Sequence, residues 1–277
     1  MNTVSFSGGK DSTAMLLMMI EKKIPVDRII CVDTTKEFPA IYRHIAKVQA
    51  MVPTKIEIVK IDFDYWFSEH VKTKGRIGEI GYGWPNHFNR WCTRLKISAI
   101  QKRMPLKGVE YVGIAADERH RTQKITDKKG VISRTPLVEW GITGKQTLEY
   151  CYSKGFDWEG LYEKMHRVSC WCCPLSRIGE LRVLHNDFPE LWAELQEMDK
   201  KSRRKFKADY SLNELSERFA KEVGRENGRV CSLFALEQKR PIPVSNSGVL
   251  IPGLPLRGRP VCIPPERARE QEMPVVG

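Results

Sequence analysis

The hexapeptide Ser7-Gly8-Gly9-Lys10-Asp11-Ser12 lies between a short apolar run, Thr3 to Phe6, and Thr13 to Glu21, where the run AMLLMMIE has helix-forming composition. A glycine turn between strand and helix is common, and it is the whole hexapeptide that points to a phosphate grip. Gly8 and Gly9 leave backbone N–H groups open to phosphate oxygens, and the helix N-terminus adds its partial positive charge. Lys10 supplies a mobile cation, Asp11 beside phosphate calls for a bridging Mg²⁺, and Ser12 offers a hydroxyl or a helix cap. The spacing matches neither the Walker A loop nor GxGxxG, which argues against a motor-type NTPase and a dinucleotide site.

The strand and helix alternation continues. Arg28 to Val32 reads as a strand ending at Asp33, Ala40 to Met51 as a helix through Ile41, Ile45 and Val48, and Lys55 to Ile61 as a third strand. Tyr65 to Arg90, rich in glycine and aromatics without a period, reads as a functional loop or lid and leads through Trp91-Cys92 to a basic helix near Thr93 to Arg103. Val109 to Ala115 is the next strand. It delivers Asp117, Glu118, Arg119 and Arg121 to its C-terminal edge, where ligands bind in open α/β sheets.

This pattern predicts an α/β fold, a doubly wound, mostly parallel sheet over residues 1–140, with a C-terminal helical annex over 141–240. The annex helices are Lys145 to Lys154, Leu161 to His166, Ile178 to Asn186, Pro189 to Phe206 and Leu212 to Val223, with Leu181, Leu184, Leu191, Trp192 and Leu195 as core. Pro241 to Gly277 collects Pro, Gly and Arg and reads as an irregular tail.

Charge and cysteines bound the chemistry. Lys and Arg number 46 against 34 Asp and Glu, a net +12 that favours polyanionic partners such as nucleotides or nucleic acid. Lys200, Lys201, Arg203, Arg204 and Lys205 are the densest positive run, either a solvated helix end or a contact to backbone phosphate. No segment approaches the roughly 20 continuous apolar residues of a membrane span, and Met1 runs straight into strand-like sequence, so a cytoplasmic location without a membrane partner is expected. In such a setting eight cysteines point to metal or redox chemistry rather than disulfides. Cys170 and Cys173 form a C-x-x-C pair, with Cys92 as third ligand, and this spacing admits zinc, an iron-sulfur cluster or a metal-free redox or persulfide site. Cys172 either completes a four-thiolate set or acts as a separate sulfur carrier. Trp171 is expected to shield such a site or stack on a base. His87, His120 and His166 share no ligand spacing and are expected to be solvent-exposed or hydrogen-bonded.

SGGKDS resembles the PP-loop of ATP pyrophosphatases, and VDTTKEFP at Val32 to Pro39 resembles the second-strand motif of the phosphoadenosine phosphosulfate (PAPS) reductase family. Trp91-Cys92-Thr93 with Lys96, and GIAADERHR at Gly113 to Arg121, are similar to patterns in reductase-like members, so the resemblance covers roughly residues 1 to 175. It implies an adenine nucleotide alpha hydrolase-like fold with ATP or an adenylated sulfonucleotide across the strand edges. Ser7 to Ser12 would hold the phosphates, and Asp33 and Thr34 would sit near the adenosine. Lys10, Asp11, Arg119 and Arg121 would act on the α-phosphate while an acceptor is adenylated and pyrophosphate leaves, a step that needs charge stabilisation more than proton transfer.

The resemblance also favours a 4Fe–4S cluster on Cys92, Cys170 and Cys173, whose open iron suits sulfur transfer, with a nucleic-acid acceptor and a sulfur-donor protein among the expected partners. The C-terminal Glu-Cys-Gly-type motif of sulfonucleotide-reducing members is absent, since Cys231 lies in GRVCSLF and Cys262 in GRPVCIPP. Sulfonucleotide reduction is therefore the second reading. A nucleotide-sensing or nucleic-acid-binding subunit is the third.

Overall fold

β2 (Arg28–Asp33) is apolar on both faces, and the computed structural model shows why. It lies inside a five-stranded sheet of order β3-β2-β1-β4-β5, with β1 (Asn2–Phe6), β3 (Ile56–Lys60), β4 (Gly108–Val112) and β5 (Val131–Arg134). All four pairings are parallel, and the central β1 sets Val4 opposite Ile29 of β2 on one side and Tyr111 of β4 on the other. The structure describes residues 1–75, 77–125 and 129–223. The tail expected from Pro241, with Cys231 and Cys262, lies outside the described residues.

Side chains alternate across a strand, so β2 feeds two cores. Ile29 and Cys31 join the main core with α1 (Lys10–Glu21) and α2 (Pro39–Met51), while Ile30 and Val32 meet Val59, Ala99 and Ile100, the last two from α3 (Trp91–Gln101). Helices thus cover both faces and the sheet is doubly wound, as the alternation predicts. The order reverses between β1 and β4, and the crevice at that reversal is where such sheets bind ligands.

Past the sheet come α4 (Pro136–Glu139), α5 (Gly144–Ser153), α6 (Leu161–Lys164), α7 (Ile178–Asp187), α8 (Pro189–Lys201) and helical residues 212–223. A Thr143–Gln146 capping box starts α5, which packs directly on α1. Leu181, Leu184, Trp192 and Leu195 are buried as expected, Leu191 is only partly buried, and Leu215 and Phe219 join them in the core. The described residues belong to one compact unit, and none of their helices is long and apolar enough to cross a membrane.

Beyond shifts of a few residues at element ends, two boundaries and one element differ from the sequence expectation. α8 ends at Lys201 rather than running to Phe206, because Ser202 bonds both the N–H and the carbonyl of Arg204 and draws the backbone out of the helix. β4 stops at Val112, one residue before Gly113 meets the start of α1. β5 has no counterpart in the predicted pattern: it is a four-residue edge strand, too short and too exposed for a clear period.

The segment 65–90 is a strap with internal order. His70 and Glu79 accept from Gly81 and Lys72, Trp66 and Phe67 accept from Tyr82 and Gly83, and the rings of Trp66, His70 and Tyr82 stack along it. Its far end is fixed by Trp91, whose Nε1 donates to the Gly83 carbonyl at 2.9 Å.

Candidate functional site

The loop Ser7 to Gly9 emerges from β1 at the sheet's reversal point. Gly8 has φ +73°, and a Cβ there would stand 3.0 Å from Ile45 Cγ1 on α2, so both backbone and space demand glycine. Ser12 closes the turn: its hydroxyl accepts from the Ser7 N–H (3.2 Å) and donates to the Gly9 carbonyl (3.0 Å). Two later residues brace it. Trp158 Nε1 donates to the Gly8 carbonyl at 2.8 Å, and the Tyr162 hydroxyl accepts from the Lys10 N–H at 3.1 Å. Gly113, after β4, approaches so closely that a Cβ on it would lie 2.8 Å from Ser12 Cα.

Lys10 is the centre of a polar network. Its Nζ lies 2.7 Å from Asp11 Oδ1 and 3.3 Å from Thr147 Oγ1, while the fully buried Thr147 donates to Asp11 Oδ1 at 2.6 Å. The Gly144 N–H donates to Asp117 Oδ1 at 2.8 Å, and a Cβ on Gly144 would stand 2.8 Å from Lys10 Nζ. One ammonium and two carboxylates therefore share a small volume at the start of α1. Mg²⁺ is commonly held by one or two carboxylates plus phosphate oxygens, and Asp11 and Asp117 fit that requirement. Arg119 and Arg121 stay exposed in the 3₁₀ segment Ala116–Lys124. Arg121 turns back to Glu118, and among the described residues neither arginine bonds to Lys10 or Asp11.

A groove of about 580 Å³ lies between α2 and the edge of β2 and β3, lined among others by Cys31, Asp33, Tyr42, Ile45 and Ile58. Asp33 Oδ1 accepts from the Thr35 N–H (2.7 Å) and the Tyr42 hydroxyl (2.9 Å). Burial and then this carboxylate push the Tyr42 phenol upward, keeping it a donor. Thr34 faces the other way. It is buried, with Oγ1 at 3.6 Å from Cys170 Sγ, so Asp33 belongs to the groove and Thr34 to the thiol site.

The thiols gather beyond Thr34. Glu180, itself buried, accepts from the N–H of Arg167 and of Arg177 and so ties the two ends of the cysteine segment. Within it Cys173 N–H returns to the Cys170 carbonyl, and Trp171 N–H donates to the Lys36 carbonyl. Trp171 is buried under the Lys36 ammonium, which is unsuited to stacking on a base and suited to shielding the site. Lys36 also pairs with Asp64 and Glu194, at 2.9 and 2.7 Å, linking strap, sheet edge and α8.

Cys170 contacts Glu37 Oε1 (3.2 Å) and Lys96 Nζ (3.6 Å), and Lys96 also pairs with Glu37 at 2.9 Å. Burial, reinforced by Glu37, pushes the Cys170 thiol up to about 12, and burial with Cys173 raises Cys92. Burial disfavours the Lys96 ammonium, but Cys170 and Glu37 outweigh it and hold it charged. Cys172 is only 1% exposed and its thiol is raised farthest, by burial and then by Cys170. It is a core thiol here, poorly placed to carry sulfur to a substrate.

Cys173 lies within electrostatic reach of both Cys92 and Cys170, and as a donor set the three thiols have the chemistry of a thiolate-bound group. As they stand, no three Cys, His, Asp or Glu side chains among the described residues converge to hold a metal ion. Cys31 and Cys151 are buried thiols pushed up to about 12 by burial, and His87, His120 and His166 are exposed, as expected. Sequence reasoning missed Thr147, Trp158 and Tyr162, which brace the loop from more than 130 residues away. Only the capping box at Thr143 hinted that a helix begins beside them.

The family model of the phosphoadenosine phosphosulfate reductase domain matches residues 1–176. An uncharacterized protein of Methanocaldococcus jannaschii is 27% identical over 213 residues, and the chain, 68% of which aligns, spans only 39% of that relative's length. The phosphate complex of PAPS reductase from Candida auris has 18% identity, covering 61% of this chain and 81% of that one at a TM-score of 0.40. The U34-tRNA thiolase NcsA of Methanococcus maripaludis, with its 4Fe–4S cluster, has 14% identity, covering 72% and 71% at a TM-score of 0.38. With the family model spanning the sheet, the phosphate loop and the positions of Cys92, Cys170 and Cys173, the chain belongs to the phosphoadenosine phosphosulfate reductase domain family.

Proposed function

We propose that the protein binds ATP with Mg²⁺, adenylates an acceptor oxygen with release of pyrophosphate, and lets sulfur from a sulfide-level donor displace the attached AMP, so that sulfur replaces that oxygen on the acceptor. The observation carrying this reading is proximity: Ile45, which lines the groove at Asp33, also stands against Gly8 of the loop, and the adjacent Thr34 touches Cys170. Nucleotide activation and sulfur chemistry are thereby one residue apart in the chain.

In this reading the loop N–H groups and the start of α1 bind the phosphates, and Asp11 and Asp117 hold Mg²⁺. Thr147 orients Lys10, whose charge offsets that developing on the leaving pyrophosphate. Asp33 and Tyr42 line the groove for the nucleoside. Cys92, Cys170 and Cys173 would hold a 4Fe–4S cluster, which when bound supplies an iron open to a sulfur ligand. Lys96 and Glu37 fix the Cys170 side chain, and Trp171 with Lys36 excludes water behind it.

Incubating anaerobically purified protein with ATP, Mg²⁺, sulfide and candidate acceptors tests the proposal: pyrophosphate should form as the acceptor is adenylated, and AMP as sulfide displaces it. Sulfite release from a sulfonucleotide with a thiol reductant would instead establish the reductase reading. Iron and sulfide analysis tests the thiol site, with loss of both expected in Cys92→Ala; a zinc-loaded colourless protein would remove the cluster from the account.

A further inference from the structure

The run Lys200 to Lys207 holds six cations, Lys200, Lys201, Arg203, Arg204, Lys205 and Lys207, and no carboxylate. It leaves α8 in extended backbone and folds against the strap: a Cβ on Gly83 would touch Ser202 Oγ at 3.1 Å and Arg204 Cγ at 3.9 Å. Trp84 anchors both partners, donating to Asp199 at 2.7 Å and meeting the Phe206 ring edge-on at 5.0 Å. At its end Lys207 Nζ donates to the Ser176 carbonyl at 2.5 Å and lies within electrostatic reach of Cys173. The basic run therefore borders the thiol site.

The strap adds to the same border. After Gly83 and Trp84 it exposes Phe88, whose residue is 98% accessible, followed by the exposed Arg90 and Arg94 at the start of α3, which carries Cys92. A bare aromatic ring beside cations matches what single-stranded nucleic acid offers, a phosphate backbone with unstacked bases, and an acidic protein would use only the charges.

We infer that the segment 200–207, with Phe88, Arg90 and Arg94, docks single-stranded nucleic acid so that the acceptor of sulfur is a base or backbone atom of that strand. The sulfur role rests on the function proposed above, whereas docking is measurable without turnover. The test is fluorescence anisotropy of the full-length protein with labelled 20-nucleotide RNA and DNA of one sequence, without ATP, across a salt titration, with polyglutamate as competitor.

Binding should weaken steeply with salt, and polyglutamate should not displace the oligonucleotide at equal charge. The exchange R203Q/R204Q/K205Q should lower affinity at least tenfold and flatten the log–log salt slope by about 2, from about 0.7 per phosphate contact. Phe88→Ala should lower affinity at least fivefold, while Lys10→Ala and Cys170→Ser should bind oligonucleotide as the wild type does. The stronger of the RNA and DNA arms names the acceptor polymer. Wild-type affinity in the folded triple variant, displacement by polyglutamate, or salt-independent binding would each overturn the assignment. Docking without ATP turnover would leave the docking site standing and remove the proposed function together with the sulfur role of the strand.

Discussion

Replacing Gly113 by alanine puts the phosphate site under a load that can be worked out from its geometry. The new Cβ would lie 2.8 Å from both Ser12 Cα and Ser12 N and 3.1 Å from the Asp11 carbonyl carbon. All three are backbone atoms of the first turn of α1, so no side chain can swing aside; β4 or α1 must move. Overpacking of this kind costs about 1–3 kcal/mol, and the backbone contacts argue for the upper end. At roughly 2–4 °C per kcal/mol the melting temperature should fall by about 6–12 °C. Gly179→Ala is the matched control, because no atom lies within 4 Å of its Cβ and it sits in α7. Alanine there should stabilise by up to about 1 kcal/mol. Calorimetric melting and ATP titration of both variants are the assays. Gly113→Ala should also lose at least tenfold in ATP affinity, since the loop and Asp117 are carried by the two elements being forced apart. A Gly113→Ala protein that melts and binds as wild type would refute the claim that the ligand sits between them.

Other perturbations separate the parts of the account. Gly144→Ala meets only the mobile tip of Lys10, at 2.8 Å, so it should leave melting nearly unchanged and weaken ATP about 10- to 100-fold, the cost of a misplaced charge-assisted bond. Burial pulls the His44 imidazole from 6.5 down to about 4, so its unfolded form takes up the extra proton and stability rises with pH between those values. Urea unfolding should show wild type losing roughly 3 kcal/mol more than His44→Gln from pH 7 to pH 4, and parallel profiles would discount the buried imidazole. In metal-free protein, iodoacetamide should modify Cys92 before Cys172, which is buried with its thiol raised well above the usual range; mass spectrometry showing the reverse would expose Cys172 as the accessible sulfur.

The sequence carried the sheet and the loop because both are local patterns. The apolar run of β2 reads as a strand covered on both faces, and SGGKDS announces its own turn. β5 escaped because four residues with alternating exposure make no periodic signal. Arg119 and Arg121 looked like ligands from their place after β4, yet the kink at Glu118 leaves them on the rim while Asp117 turns to the Gly144 N–H. Spacing picked out Cys170 and Cys173 but left the role of Cys172 open; two positions apart in a tight turn, the Cys170 thiol meets Glu37 and Cys172 is buried in the core. Thr147 and Tyr162 were illegible for a different reason. They meet the loop only through the packing of α5 and α6, and chain distance hides such contacts.

The central claim is that this loop activates a substrate by adenylation. Exchange of radiolabelled pyrophosphate into ATP measures it directly, in wild type and in Lys10→Ala. The account predicts Mg²⁺-dependent exchange in the wild type that drops at least a hundredfold in the variant. ATP binding without any exchange, with or without candidate acceptors, would contradict it.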